Sequence, residues 1–309
     1  MAEYIIRRRP IMLSMSEGDW KRLLGRIKEG RCTPFLGAGA GADVYPLGSD
    51  IATQWALECG YPMEDPRDLA RVAQYIAVTE DYMEPKDKIQ REFQKYPLPD
   101  FNAPDEPHGL LAELPLPIYM TTNYDDCMVE ALRSRNKEPK LELCRWNKFV
   151  KENVKSVFKA RADYSPTPAN PIVFHLHGHI NVPESLVLTE DDYLDFLVNI
   201  SMDQGLLPSR ILRAMTGSSL LFLGYRLADW DFRVLFRGII GYLEKTLQRT
   251  HVSVQIAPGR ARFTEEQQDK AQQYLIKYFD KLDIRIYWGT CREFTTELRK
   301  RWVDFNHGN

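Results

Sequence analysis

The feature that most constrains this chain is a series of short apolar runs that end in glycine or polar residues and alternate with stretches of helical periodicity. Cys32-Thr33-Pro34-Phe35-Leu36 leads into Gly37-Ala38-Gly39-Ala40-Gly41-Ala42. Pro117 to Asp125, Ile172 to Gly178 and Ser219 to Tyr225 are three further strands with polar C-terminal ends. His251 to Ala257 alternates like a strand, and Ile284 to Trp288 is the last run. Between them, Trp20, Leu23, Leu24 and Ile27 follow Ser16 at helical spacing, predicting a capped helix over Glu17 to Glu29 that stops at Gly30. Further helices are predicted near Ile51 to Gly60, Leu69 to Val78, Lys86 to Phe93, after Asp125 through Leu132, Asp231 to Leu247, Glu265 to Leu282 and Phe294 to Trp302. Strands alternating with helices imply an α/β fold with a mostly parallel sheet and helices on both faces. Such sheets bind ligands beyond the carboxyl ends of their strands, so the polar strand ends are where chemistry is expected.

Composition narrows the class. A hydrophobic content of 44% in 309 residues supports a sizeable core and excludes a disordered chain. Lysine plus arginine number 41 against 43 acidic residues, a balance that provides no basic field for nucleic acid. The five cysteines, Cys32, Cys59, Cys127, Cys144 and Cys291, form no C-x-x-C pair, which excludes a cysteine-only zinc ribbon. Their odd number and irregular spacing read as reduced thiols of a cytoplasmic protein. The apolar runs are too short to span a bilayer, and no signal-peptide pattern opens the chain, so no membrane role is expected.

The expected organisation is an arm over residues 1–15 followed by one domain over 16–309. The arm carries Arg7-Arg8-Arg9 with Ile5, Ile6, Ile11 and Met12, and reads either as a subunit contact or as a loose terminus. Within the domain, residues 61–117 read as a small helical insertion subdomain and residues 135–171 as a variable helical region.

Four groups of residues could carry chemistry. Gly37, Gly39 and Gly41, after a strand and before a helix, let backbone approach a phosphate, although the spacing is not G-x-G-x-x-G. The bland alternative is a turn of small residues that only packs. Asn123, between Thr122 and Tyr124-Asp125, offers an amide that can hold a ribose hydroxyl and a water, while Asn and Asp are also common capping residues. His175, His177 and His179 alternate; on one continuous strand they would share a face at metal-ligand spacing. Gly178 favours ending the strand, and a single general-base histidine is the preferred reading over a metal site. Gly224-Tyr225-Arg226 ends another strand, and Asp229, Asp231 and Arg233 after it read as helix capping and surface pairing.

These segments resemble, in order and approximate spacing, the sirtuin fold. The resemblance is carried by Pro34 to Ala40, Thr121 to Asp125, Leu176-His177-Gly178, Gly224-Tyr225-Arg226-Leu227 and Gly289-Thr290-Cys291-Arg292-Glu293-Phe294. Leu188-Thr189-Glu190-Asp191-Asp192-Tyr193 is similar to the bacterial sirtuin-like NAD hydrolases of antiphage defence rather than to the protein deacetylases. The resemblance implies a Rossmann-like NAD-binding domain. Gly37, Ala38, Gly39, Ala40 and Gly41 would hold the pyrophosphate of NAD, the substrate. Asn123 would sit at the nicotinamide ribose with Thr122 beside it and Asp125 near the carboxamide, and His177 would be the catalytic base. Gly224, Tyr225, Arg226, Gly289, Thr290 and Cys291 would line the adenosine end.

Three departures from the sirtuin pattern matter, the first two of them against deacetylation. Thr122 replaces a glutamine, the four zinc cysteines are missing, and Ala257 stands where many sirtuins have a ribose-binding asparagine. The expected activity is therefore cleavage of NAD to nicotinamide and ADP-ribose, with no zinc. A protein deacylase, a module that senses NAD or ADP-ribose without turnover, and a metal-dependent hydrolase on the three histidines are the alternatives. The resemblance also implies gating, by a homo-oligomer or by a separate partner such as a translocase-type ATPase.

Overall fold

Every run of strand length alternates between two buried faces, which is why so many of its residues are apolar. A computed structural model of the chain describes residues 15–161, 163–202, 206–225, 250–256 and 264–307. Within them, seven parallel strands form one sheet in the order β3-β4-β2-β1-β5-β6-β7. The strands are β1 (Cys32–Leu36), β2 (Ile118–Thr121), β3 (Lys140–Leu143), β4 (Ile172–His175), β5 (Ser219–Leu223), β6 (His251–Gln255) and β7 (Ile284–Trp288). The α/β class with a parallel sheet is as expected from the alternation. Among the described residues no helix is long and apolar enough to cross a membrane.

Leu36, Tyr119, Val173, Leu221 and Leu223 point into one apolar cluster, and Phe35, Met120, Phe174, Leu220 and Phe222 into the other. The first face is covered by α1 (Glu17–Lys28), α5 (Pro107–Glu113), α6 (Cys127–Ser134) and α12 (Cys291–His307). The second is covered by α9 (Glu190–Met202), α10 (Ser209–Gly217) and α11 (Glu265–Asp280). Ser16 caps α1 through the Asp19 amide while Asp19 answers the Ser16 amide, a reciprocal capping box. Pro34 has no N–H to give, and the ladder between β1 and β2 begins only after it, at Phe35 opposite Met120.

Between β1 and β2 the chain makes α2 (Gly48–Glu58), α3 (Leu69–Thr79) and α4 (Glu84–Phe93) before α5. Ile51, Trp55, Val72, Ile76 and Ile89 of α2–α4 form a third apolar cluster, and they close it against Ile180, Leu186 and Leu188 of the loop that follows β4.

Four strands end earlier than the sequence reading has them, β5 at Leu223 and β6 at Gln255 among them. β2 stops at Thr121 and β4 at His175, so Thr122 to Asp125 and Leu176 to Gly178 belong to turns. In 135–171 the reading as helical omits an edge strand. β3 alternates in the unusual sense, with Leu141 outward and Glu142 buried, because Glu142 accepts from the Val157 amide at the start of the short helix α8 (Val157–Ala160). A charged inward residue erases the apolar period-2 signal. The other helix among the described residues there is α7 (Lys148–Asn153). Residues 1–14, the predicted helix over Asp231 to Leu247, Arg226 and Ala257 lie outside the described residues.

Candidate active site

The order β4-β2-β1-β5 places the chain's reversal of direction beside β1, and the crevice between the carboxyl ends of β1 and β5 is the switch point of the sheet. There the backbone itself does most of the contacting. The Gly37 amide donates to Leu223 O at 2.9 Å, extending the β1–β5 ladder, and the Gly39 amide donates to Gly224 O at 3.0 Å. Gly224 has φ +79°, and a Cβ on it would lie 2.2 Å from the Ala40 nitrogen, so only glycine fits. The Tyr225 hydroxyl donates to Leu36 O at 2.7 Å and lies 2.8 Å from the Thr122 hydroxyl, spanning β5, β1 and β2. Gln255, at the end of β6, donates from Nε2 to Tyr225 O at 2.7 Å.

On the far side of this wall, Thr290 caps α12 together with Glu293, and the Gly289 amide donates to Gln255 O at 2.8 Å. The Cys291 thiol meets the Gly224 backbone, and burial pushes its pKa up to about 11. Arg292 pairs with Asp43, just past the glycine turn, and with Asp105 at 2.8 Å.

The neighbouring strand ends, β2 and β4, are built differently. Asn123 is held at three points: its amide N–H donates to Thr121 Oγ1 (2.9 Å), its Nδ2 donates to Gly37 O (3.1 Å), and its carbonyl accepts from His175 Nδ1 (3.1 Å). His177 is 7% exposed, with its ring edge-on to Tyr193 and Phe196 of α9 at 5.4 and 5.0 Å between centroids. Burial pulls the pKa of His177 down to about 3, so the ring is a neutral acceptor at physiological pH. Gly178 has φ +86°, and a Cβ there would meet Ser185 O at 2.1 Å. The loop from Ser185 to Thr189 is thereby pressed on the histidine turn, where Val187 N–H donates to His177 O and Tyr124 Oη donates to Val187 O.

A buried ion pair fixes that loop. Lys86 of α4 is 1% exposed and donates to Asp192 at 3.0 Å and to Leu186 O at 3.1 Å. Asp192 also accepts from Tyr82 Oη and from the Leu188 and Thr189 amides at the start of α9. The carboxylate thus meets a cation, a hydroxyl and two amides, the satisfaction that a buried charge needs.

The structure joins Gly37, Gly39, Thr122, Asn123, Gly224 and Tyr225 directly, and reaches Gly289 to Cys291 through Gln255 and Gly224. Ala38, Ala40 and Gly41 complete the glycine turn, Ala40 donating to Gly37 O at 3.0 Å. Asp125 accepts from the Cys127 amide at 2.8 Å and opens α6, the capping role that its residue type also allows. The three histidines do not share a face, because β4 ends at His175 and the following residues turn. His175 and His179 stand edge to face at 4.9 Å, while His177 faces α9. His179 accepts from the Asn181 amide on Nδ1 and donates from Nε2 to Asp126 (2.8 Å), holding that carboxyl below its usual range. Among the described residues no group of three or more His, Cys, Asp or Glu could hold a metal ion.

Sequence reasoning missed Gln255, His175 as a partner of Asn123, and the Lys86–Asp192 pair. Gln255 was findable as an amide at a strand's carboxyl end, had β6 been stopped two residues earlier. A cavity of about 370 Å³ lies elsewhere, at the amino end of the sheet, lined by Arg22, Arg26, Ser219 and Thr250. It contains none of the residues above; at the switch point the glycine turn packs on Gly224.

Fold and site together define a parallel-sheet α/β protein with a glycine turn at the switch point and an asparagine and a histidine at the adjoining strand ends. The family profile described as SIR2-like domain matches residues 117–279, and the chain belongs to that family. Curated relatives are NAD(+) hydrolase ThsA of Acinetobacter baumannii, 23% identical over 91% of this chain and 55% of that protein, and of Bacillus cereus, 24% identical over 89% and 54%. ThsA of Enterococcus faecium is 26% identical over 76% of this chain and 45% of that protein. The chain spans about half the length of the curated relatives it matches.

Proposed function

We propose that this chain hydrolyses NAD at the nicotinamide–ribose bond, giving nicotinamide and ADP-ribose. The observation that carries the reading is the adjacency, across β4-β2-β1, of a neutral buried histidine, a three-point-held asparagine and a glycine turn at the switch point. The relatives named NAD(+) hydrolase support it.

Bond breaking passes through an oxocarbenium-like state, and nicotinamide leaves as a neutral molecule, so no strong acid is required at the leaving group. Charge on the ribose acidifies its hydroxyls, which lets a weak, already deprotonated base such as His177 accept a proton from a hydroxyl or from the attacking water. Asn123 orients the ribose and that water. Gly37 to Gly41 take the pyrophosphate, with Thr122 and Asp125 towards the nicotinamide and Gly224, Tyr225, Arg226, Gly289, Thr290 and Cys291 at the adenosine end. An NAD hydrolase left on would drain its own cell, so the reading includes gating in a cytoplasmic antiphage setting, by assembly of copies of this chain or by a partner such as a translocase-type ATPase.

The test is incubation with NAD and chromatographic resolution of products. Nicotinamide and ADP-ribose in equal amounts without added peptide are expected, and His177→Ala or Asn123→Ala should abolish release while the circular dichroism spectrum is kept. Turnover that requires an acylated peptide points to deacylation instead, and wild-type rates in both variants overturn the assignment.

A further inference from the structure

We propose that His175 is a positioning residue that holds Asn123 in place for the reaction, and that the histidine run divides into three separate tasks. The functional half of this inference rests on the hydrolase reading above; the structural half does not. Asn123 lies beyond the end of β2, where no ladder holds it: the last β2–β4 bond is Leu176 N–H to Thr121 O at 2.8 Å. His175 is the register partner of Thr121 and reaches two residues further, to the Asn123 carbonyl. A carbonyl only accepts, so Nδ1 carries the proton and Nε2 bears the lone pair.

That Nε2 is buried without a hydrogen-bond partner. Burying a polar atom unmet is destabilising, and a leucine of similar size would fill the space without that cost. The imidazole therefore has a use other than filling volume: its hydrogen bond at 3.1 Å goes to the residue expected to meet the ribose, with the Gly178 backbone also close to the ring. The ring is held in turn by its edge contact with His179, whose two nitrogens are engaged by Asn181 and Asp126. His177 is left for proton transfer, His175 places Asn123, and His179 anchors the turn to the start of α6.

The experiment compares His175→Leu with His175→Asn, whose side-chain amide returns a donor to the Nδ1 position. Steady-state NAD hydrolysis should show kcat down about 100-fold in the leucine variant, the scale expected for misplacing a reacting group, with KM within about threefold. The asparagine variant should recover most of the loss. A leucine variant with wild-type kcat, or equal losses in both variants, overturns the proposal. In parallel, wild-type chain labelled with nitrogen-15 histidine reports the ring directly, with the His175 signals identified by their disappearance from the asparagine variant. A protonated Nδ1 and bare Nε2 support the contact, and an Nε2–H tautomer overturns it even if the leucine variant does not fold. Wild-type chain that releases no nicotinamide would sink the hydrolase reading, while the ring-nitrogen pattern would still decide the contact.

Discussion

The two walls of the site are held by opposite means. The glycine wall, at the ends of β1 and β5, is backbone resting on backbone: Gly39 on Gly224, with Tyr225 and Gln255 as the principal side chains. The histidine wall, at the ends of β2 and β4, is fixed by buried polar side chains, from His175 on Asn123 to Lys86 on Asp192. The glycine wall buries no charge, so opening it exposes only backbone groups that water can meet, which suits the dinucleotide proposed for this crevice. A buried ion pair with every partner met cannot loosen without exposing charge, which suits a wall proposed to align the reacting groups. The helices α2–α4 belong to the second wall, since their core closes on residues 180–188 and their Lys86 reaches Asp192.

The largest expected effect separates the walls by acid. His175 and His177 are held near pKa 3 and His251 near 4 by burial, against about 6.5 in the unfolded chain. The unfolded chain therefore binds protons that the folded one refuses. Stability is complete above pH 6.5 and falls as the pH drops from there towards 3–4, by about 1 kcal/mol per histidine per pH unit. Urea unfolding at pH 7 and pH 5 should differ by roughly 4–6 kcal/mol on that slope, and His177→Gln should remove about a third of the difference. An unchanged midpoint would mean that these rings, His175 and His177 of the histidine wall and His251 at the start of β6, are open to water.

Next comes Lys86→Met, which leaves Asp192 buried without its cation and should cost about 3–5 kcal/mol. Lys86→Met with Asp192→Asn should recover part of it, because no lone charge remains. Gly224→Ala adds about 1–3 kcal/mol of positive-φ strain to a backbone clash of its Cβ with the Ala40 nitrogen, and should lower NAD turnover more than tenfold by driving the glycine turn off β5. A Gly224→Ala variant with wild-type turnover would erase the contrast between the walls. The smallest effect is expected for Tyr225→Phe, which removes one hydroxyl from Leu36 and Thr122 at about 1 kcal/mol and shifts KM for NAD a few-fold. A larger loss there would make the glycine wall side-chain-dependent after all.

Much of this molecule is legible in its sequence wherever one residue type answers one local demand. The capped α1 was readable from Ser16 and the spacing of Trp20, Leu23, Leu24 and Ile27. The six main strands were readable because both faces of a parallel sheet are buried, which leaves nearly continuous apolar runs. β3 was not, because its inward residue is Glu142, a buried cap for another helix that no periodicity announces. Asn123 and His177 stood out as polar residues at strand ends, but their surroundings did not. Whether His175, His177 and His179 shared a face depended on where β4 stopped, and that is set by Gly178 pressed against Ser185, a contact seven residues along the chain.

The sequence by itself determined the layered α/β class, the strands' parallel order of use and the candidate groups at their ends, because propensity and apolar spacing are local properties. Only the tertiary structure decided which of those groups meet. Lys86 and Asp192 are separated by more than a hundred residues, and His175 by fifty-two from Asn123. Their pairing follows from the order in which strands are laid into the sheet and from the need of each buried polar group for a partner. That same pairing turns a glycine-rich turn and a histidine, common features taken singly, into one site with a soft wall and a rigid one.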